Sequence, residues 1–218
     1  IFICNKSKQE LKGTNALKYI EWGEKQKTKD GIFWKDVPSV SGRKYWWSLG
    51  NVKPSNFLWT MTYRERFFVM KNSSFLADAR MYDMYCEEYI GVTCNTTLML
   101  FQLELMARGY GGGGGPVDVK VYEVKNLLVP NLYDKTKELK IIFDGLSKRE
   151  IKPIFEECGI DPKSKIPIEK QEPKPLPDRA ELDNIVFDAL GLTADERKEV
   201  YRAVCRLVWN RISKAKSV

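Results

Sequence analysis

The chain has 218 residues, enough to bury a hydrophobic core in one large domain or two small ones. Its 36 Lys and Arg exceed its 29 Asp and Glu, a net charge of +7 with an isoelectric point near 9.0, and it has no histidine. That absence excludes Ser-His-Asp and Cys-His nucleophile activation, histidine general-base catalysis and every imidazole metal site within this chain.

The five cysteines (Cys4, Cys86, Cys94, Cys158, Cys205) are odd in number and form no C-x-x-C pair, which fits neither a disulfide framework nor a cysteine-only metal cage. Reduced intracellular thiols are the expectation. Sequons at Asn5, Asn72 and Asn95 are read as accidental, because no apolar leader opens the chain and no apolar run approaches the ~18 residues of a membrane span. The expected location is cytoplasmic, with no membrane partner. An opening Ile1 in place of Met suggests a piece of a longer protein.

Residues 1–80 carry 15 Lys/Arg against 7 Asp/Glu, a net +8, and residues 81–218 carry 21 against 22. The first third also holds five of the six tryptophans, Trp22, Trp34, Trp46, Trp47 and Trp59, interleaved with Arg43, Lys44, Lys53, Arg64, Arg66, Lys71 and Arg80. Cations neutralise phosphates and aromatic faces stack on unstacked bases, so this interleaving points to nucleic acid. The competing reading places the tryptophans in a core and the cations on a solvated face.

From Ile32 to Phe75, short β-branched and aromatic runs broken by Pro38, Gly42, Gly50, Pro54 and Asn72-Ser73 predict strands of a small irregular sheet. Phe57, Trp59, Met61 and Tyr63 alternate with Leu58, Thr60 and Thr62, and Phe67 to Met70 follow as the second half of a hairpin. Trp46 and Trp47 are adjacent, so in a strand one points inward and the other outward. Residues 84–108 predict a buried helix through Leu98, Phe101 and Leu105, with a cap or bend at Asn95 or Thr96 and a stop at Gly109. Gly111 to Gly115 ends in Pro116 without a Gly-Lys-Ser/Thr ending, so a flexible loop is expected in place of a phosphate cradle. A strand then runs through Val117, Val119 and Val121.

Ser147 to Glu150 has the form of a capping box for a short helix over Ile151, Ile154 and Phe155, closed by Gly159. Half of the ten prolines fall between Pro162 and Pro177, an extended connector. Asp178 to Glu181 offers another cap, and Leu182, Ile185, Val186, Ala189 and Leu190 form an apolar stripe stopped by Gly191. Thr193 to Glu196 opens a last helix with the stripe Val200, Val204, Leu207, Val208 and Ile212. The two helices form an antiparallel hairpin that must bury its stripes on the rest of the chain or on a neighbour. The fold class is therefore α+β. Its expected parts are a small irregular antiparallel or mixed sheet over residues 1–140, a short helix and connector over 141–177, and a helical hairpin over 178–218.

Three ordered stretches, "GRKYWWSLG", "FFVMKNSSFLADARMYDMY" and "NTTLMLFQLELMARGYGGGGGPVDVKVYEVKNLLVPNL", together resemble the C-terminal part of restriction-modification DNA methyltransferases that modify the exocyclic amino group of adenine, type IIG-like enzymes among them. The last forty residues resemble the helical pair that closes many of those proteins. The likeness spans about residues 42–133 and 178–217; Cys94 and Leu128 depart from the family's usual leucine and proline.

The resemblance implies a target recognition domain of a prokaryotic defence enzyme, bound to double-stranded DNA and joined to a catalytic domain that uses S-adenosylmethionine. The sequence contains no F-x-G-x-G cofactor loop and no N-P-P-Y or D-P-P-Y tetrapeptide, whose aromatic would stack on a flipped base. Pro177-Asp178 with Glu181 lacks the lysine of a nuclease constellation. The chain is thus expected to hold no cofactor, metal or catalytic residue, the methyl donor belonging to the parent enzyme's missing N-terminal domain. Expected DNA contacts are Arg43, Lys44, Trp47, Lys53, Arg64, Arg66, Lys71 and Arg80, with Asn72 and Ser73 as polar readers in a loop. Two alternatives remain open: a metal-dependent nuclease using Asp78, Asp83 and Glu87, and a protein-interaction module docking through the C-terminal hairpin.

Overall fold

A computed structural model describes residues 2–50, 52–106, 108–109 and 115–214, the side chains of 108–109 excepted. Contacts divide it into two units, Ile1–Lys53 and Pro54–Val218. The boundaries expected at residues 140 and 177 both fall inside the second unit.

In the first unit, Thr14 accepts a hydrogen bond from the Leu17 amide at 3.3 Å and starts helix α1 (Asn15–Gly23). This helix buries Ile20, which joins Leu11 and Trp47 in a small core. The sheet expected between Ile32 and Gly50 does not form among the described residues. A single bridge pairs Lys27 with Phe33, a 3₁₀ turn covers Trp34–Asp36, and Pro38 opens a one-turn helix α2 (Pro38–Ser41), where its fixed φ suits the first helical position. The Ser48 amide bonds to the Tyr45 carbonyl, so Trp46 and Trp47 lie in a turn and strand alternation does not apply to them. Both indoles pack on the core, edge to face at 6.2 Å.

The second unit begins with one extended run shared between two sheets. Strand β1 (Phe57–Thr60) and strand β2 (Thr62–Tyr63) part at Met61, whose amide donates to Arg80 and whose carbonyl accepts from Val119. β1 pairs antiparallel with β3 (Val69–Lys71), Leu58 opposite Met70, and with β4 (Met81–Met84), Leu58 opposite Asp83. The expected hairpin pairing is thus present, with a third strand added.

Helix α3 (Glu88–Thr93) and helix α4 (Thr97–Met106) are separated at Cys94, Asn95 and Thr96, the anticipated bend. The expected stop at Gly109 is replaced by a two-residue strand β5 (Arg108–Gly109), which with β2 flanks β6 (Val117–Asp118). Of the glycine run only Gly115 is described; the rest lies outside the described residues.

The strand expected to continue past Val119 ends there and becomes helix α5 (Val121–Lys125). Val119 is the last residue with a sheet partner, and Glu123 folds back so that its carboxylate accepts from the Lys120 amide at 2.8 Å, closing the first turn.

Helix α6 (Thr136–Leu146) buries Leu139, Ile142, Phe143 and Leu146. Ser147 is its C-terminal cap, so the Ser147–Glu150 box does not open the next helix; Pro153 does, ahead of α7 (Ile154–Cys158). Gly159 closes α7 at φ +61°, as anticipated.

The proline-rich connector is extended but docked. Ile168 is buried, and the Lys174 and Leu176 amides bond to the Cys158 and Glu157 carbonyls. Helix α8 (Pro177–Ala189) starts with Pro177 behind Leu176, whose side chain has no acceptor; the cap expected at Asp178 does not form, because Asp178 lies inside the first turn, where it pairs with Arg149. The Thr193–Glu196 box is made in both directions and opens α9 (Ala194–Lys214). α8 packs on α6 and α9 on α4, which buries Leu182, Ile185, Val186, Val204, Val208 and Ile212 within this unit; Ala189 and Leu190, at the end of the α8 stripe, stay exposed.

Candidate nucleic-acid interface

Asn72 follows edge strand β3 and spends its side chain on its own loop. Its Nδ2 donates to the Ser55 and Phe75 carbonyls, both at 2.8 Å, and its Oδ1 accepts from the Phe75 amide at 3.0 Å. The residue is buried, so it braces the loop and cannot read a base edge; that expectation is corrected. What the brace holds outward is Ser73, which is exposed, and Phe75, 72% exposed and not among the contacts expected from the sequence.

Behind this loop lies a groove of about 670 Å³. Phe68, Met70 and Phe75 supply apolar wall, and Arg66, Lys71 and Arg149 bring cations to it. Arg66 pairs with Glu150 at 2.7 Å and Lys71 with Glu88; Arg66, Glu150 and Lys71 are exposed and Glu88 is half-buried. Lys152 and then Arg66 hold the Glu150 carboxyl below its ordinary value. Exposed pairs of this kind contribute at most ~1 kcal/mol, so a phosphate can displace the carboxylate.

Asn95 forms the back of the groove. Its Oδ1 accepts from the Val69 amide at 2.8 Å, and its Nδ2 donates to the Val69 and Gly91 carbonyls, each at 3.1 Å. The α3–α4 break thus presents an amide that pairs the outer edge of β3 as another strand would. The Asn95 carbonyl accepts in turn from Arg179.

Arg179 belongs to a buried ionic cluster. Glu157, 1% exposed, accepts from both terminal nitrogens of Arg149 (2.7 and 2.8 Å), from Arg179 Nε (3.1 Å) and from the Lys152 amide (2.8 Å). Burial pushes the Glu157 carboxyl up, but these donors together hold it below its ordinary value. Arg149 likewise holds Asp178 down. Asp183 caps α4 through the Thr97 amide and hydroxyl at 2.7 and 2.6 Å, and there burial wins and raises the carboxyl.

Arg80 is exposed ahead of β4, its amide held by Asp78 at 2.8 Å. Arg64 is exposed, and its carbonyl accepts from Arg211. In the first unit, Arg43 reaches the Ser48 carbonyl at 3.2 Å and the Lys44 ammonium lies 5.4 Å from the Tyr45 ring; both residues are exposed, as is Lys53. Trp47 is 9% exposed, stacks on Tyr45 at 4.8 Å and donates to the Lys6 carbonyl, so it is a core residue; its expected DNA contact is corrected.

Among the described residues no group of three or more acidic or cysteine side chains is placed to hold a metal ion, and Asp78, Asp83 and Glu87 are not brought together. Burial raises the Cys86 thiol, and it pushes Cys94 up to about 12, which keeps both neutral and poorly nucleophilic. No described helix is long and apolar enough to cross a membrane. No protein-family model, no curated protein and no solved structure matches this chain.

Proposed function

We propose that the chain is the sequence-reading region of an adenine-specific (exocyclic amino) DNA methyltransferase of a restriction-modification system. Methyl transfer from S-adenosylmethionine is assigned to a separate domain of that enzyme. The observation that carries this reading is the groove where Arg66 and Lys71 meet the braced loop of Ser73 and Phe75. Cations at a groove rim set affinity through phosphates, and a fixed loop with a small hydroxyl at its tip can enter a groove of the duplex. All seven cationic residues singled out in the sequence (Arg43, Lys44, Lys53, Arg64, Arg66, Lys71 and Arg80) are exposed, which supports the same reading.

Fluorescence anisotropy with duplex DNA over a salt series tests it. The log-log slope is expected to be clearly negative, and Arg66→Ala and Lys71→Ala should each reduce its magnitude by about one. Glu150→Gln should tighten binding, because it removes the carboxylate that competes for Arg66. Selection from random duplexes should enrich one motif, and Ser73→Ala should relax it. Absence of binding at low salt, or a flat slope, would sink the proposal.

A further inference from the structure

The first unit carries a surface that the groove reading does not use. Helix α1 places Tyr19 and Trp22 three residues apart on one face, and they remain 46% and 49% exposed. Their rings belong to a continuous ladder. Phe2 meets Tyr19 at 5.1 Å, Tyr19 stacks on Trp22 at 5.6 Å with planes 30° apart, and Trp22 meets the edge of Trp34 at 5.4 Å. Beside Trp34, the exposed Phe33 ring has the Lys27 and Lys35 ammonium groups 4.5 and 5.9 Å from its centroid.

Phe2 and Trp34 are half-buried, but Tyr19 and Trp22 remain in water beside a core whose buried members among the described residues are Leu11, Ile20 and Trp47; this is costly for so small a unit, and contiguous exposed apolar surface marks a binding site. The charge of the unit selects the partner. Residues 1–53 hold 11 Lys/Arg against 5 Asp/Glu, and Glu24 is already tied to Lys8 at 2.6 Å. An anionic partner with flat apolar faces fits both features. Duplex DNA hides its base faces in the stack, whereas a single strand offers a face and a phosphate at every nucleotide.

We propose that the Phe2–Tyr19–Trp22–Trp34 ladder, flanked by Lys27 and Lys35, is a stacking platform for single-stranded nucleic acid. It uses none of the residues assigned to duplex contact, so the two readings can fail separately.

The test uses the whole chain and fluorescein-labelled oligothymidylate and oligouridylate of about 16 nucleotides. Saturating binding that quenches tryptophan fluorescence is expected. Trp22→Ala and Tyr19→Ala should each weaken it by about tenfold or more, Trp22→Phe should restore most of it, and duplex affinity should not change. A preference between the two oligonucleotides identifies DNA or RNA as the source. Unchanged affinity in Trp22→Ala, or no binding to either oligonucleotide at about 50 mM salt, overturns the proposal. Tighter binding of polyglutamate, lost in the same variants, assigns the surface to an acidic polypeptide and also overturns it.

Discussion

Asn95 and Asn72 carry similar work at two ends of edge strand β3. Each is a buried amide whose donors and acceptor all go to backbone. Asn95→Ala would leave both polar groups of the buried Val69 without a partner, a cost of about 1–3 kcal/mol. Thermal unfolding should show the second unit's midpoint falling accordingly. Two glycines make a sharper comparison. A Cβ at Gly91 would run into the buried Phe57 ring, and one at Gly159 would run into the Lys174 backbone from a left-handed φ of +61°. Gly91→Ala should cost roughly 1–3 kcal/mol through overpacking, and Gly159→Ala more, because backbone yields less than a ring. Equal midpoints for the two variants would contradict that ordering. Gly159 was legible as a helix stop. The asparagines were not, since an isolated asparagine looks the same whether its amide meets a base or a distant carbonyl.

Elements that specify their own ends came through the sequence intact. The Thr193–Glu196 box and the Gly191 turn at φ +66° depend on neighbours within a few residues, whereas the break at Cys94–Thr96, although its place was readable, is held by Val69, Arg179 and Asp183 from far along the chain. The stripe Leu139, Ile142, Phe143 and Leu146 stands at helical spacing as well, so α6 is a further element whose existence follows from local periodicity, although it lies outside the elements expected from the sequence. The ionic cluster joining α7 and α8 to the α3–α4 break predicts an acid response. Glu157 and Asp178 have depressed folded values, so their contribution is present above the ordinary carboxylate range and is lost as pH falls through those values. Asp183 is raised and runs the other way, its penalty fading as pH falls. Asp178→Asn should therefore lower stability at neutral pH and converge on the parent chain in acid, as followed by urea midpoints across pH. Arg211 of α9 forks onto Glu104 of α4, at 11% and 3% exposure, and donates to the Gly115 and Arg64 carbonyls. Removing one partner of such a pair costs about 3–5 kcal/mol, so Arg211→Ala should unfold the second unit at markedly lower denaturant, and Arg211→Lys should rescue it poorly.

On the scale of the molecule, two units of unequal core share one chain. Among the described residues the first is held by the buried Leu11, Ile20 and Trp47 with half-buried neighbours such as Leu17 and Trp46, whereas the core of the second runs from Phe57 to Ile212. Two unfolding transitions are expected by calorimetry, and Trp47→Ala should depress only the one belonging to the first unit. A single coincident transition that shifts as a whole would contradict independent units. The sequence alone determined the α+β class, the concentration of positive charge in the first eighty residues and the course of the C-terminal hairpin, because composition and short-range periodicity are local properties. Only the tertiary structure decided that the chain divides at Lys53–Pro54, that one extended run serves two sheets across Met61, and that Trp47, Asn72 and Asn95 are scaffold while Ser73, Phe75, Tyr19 and Trp22 face outward. Each of those outcomes depends on which distant backbone or ring fills the neighbouring space, and spacing along the chain carries no record of that.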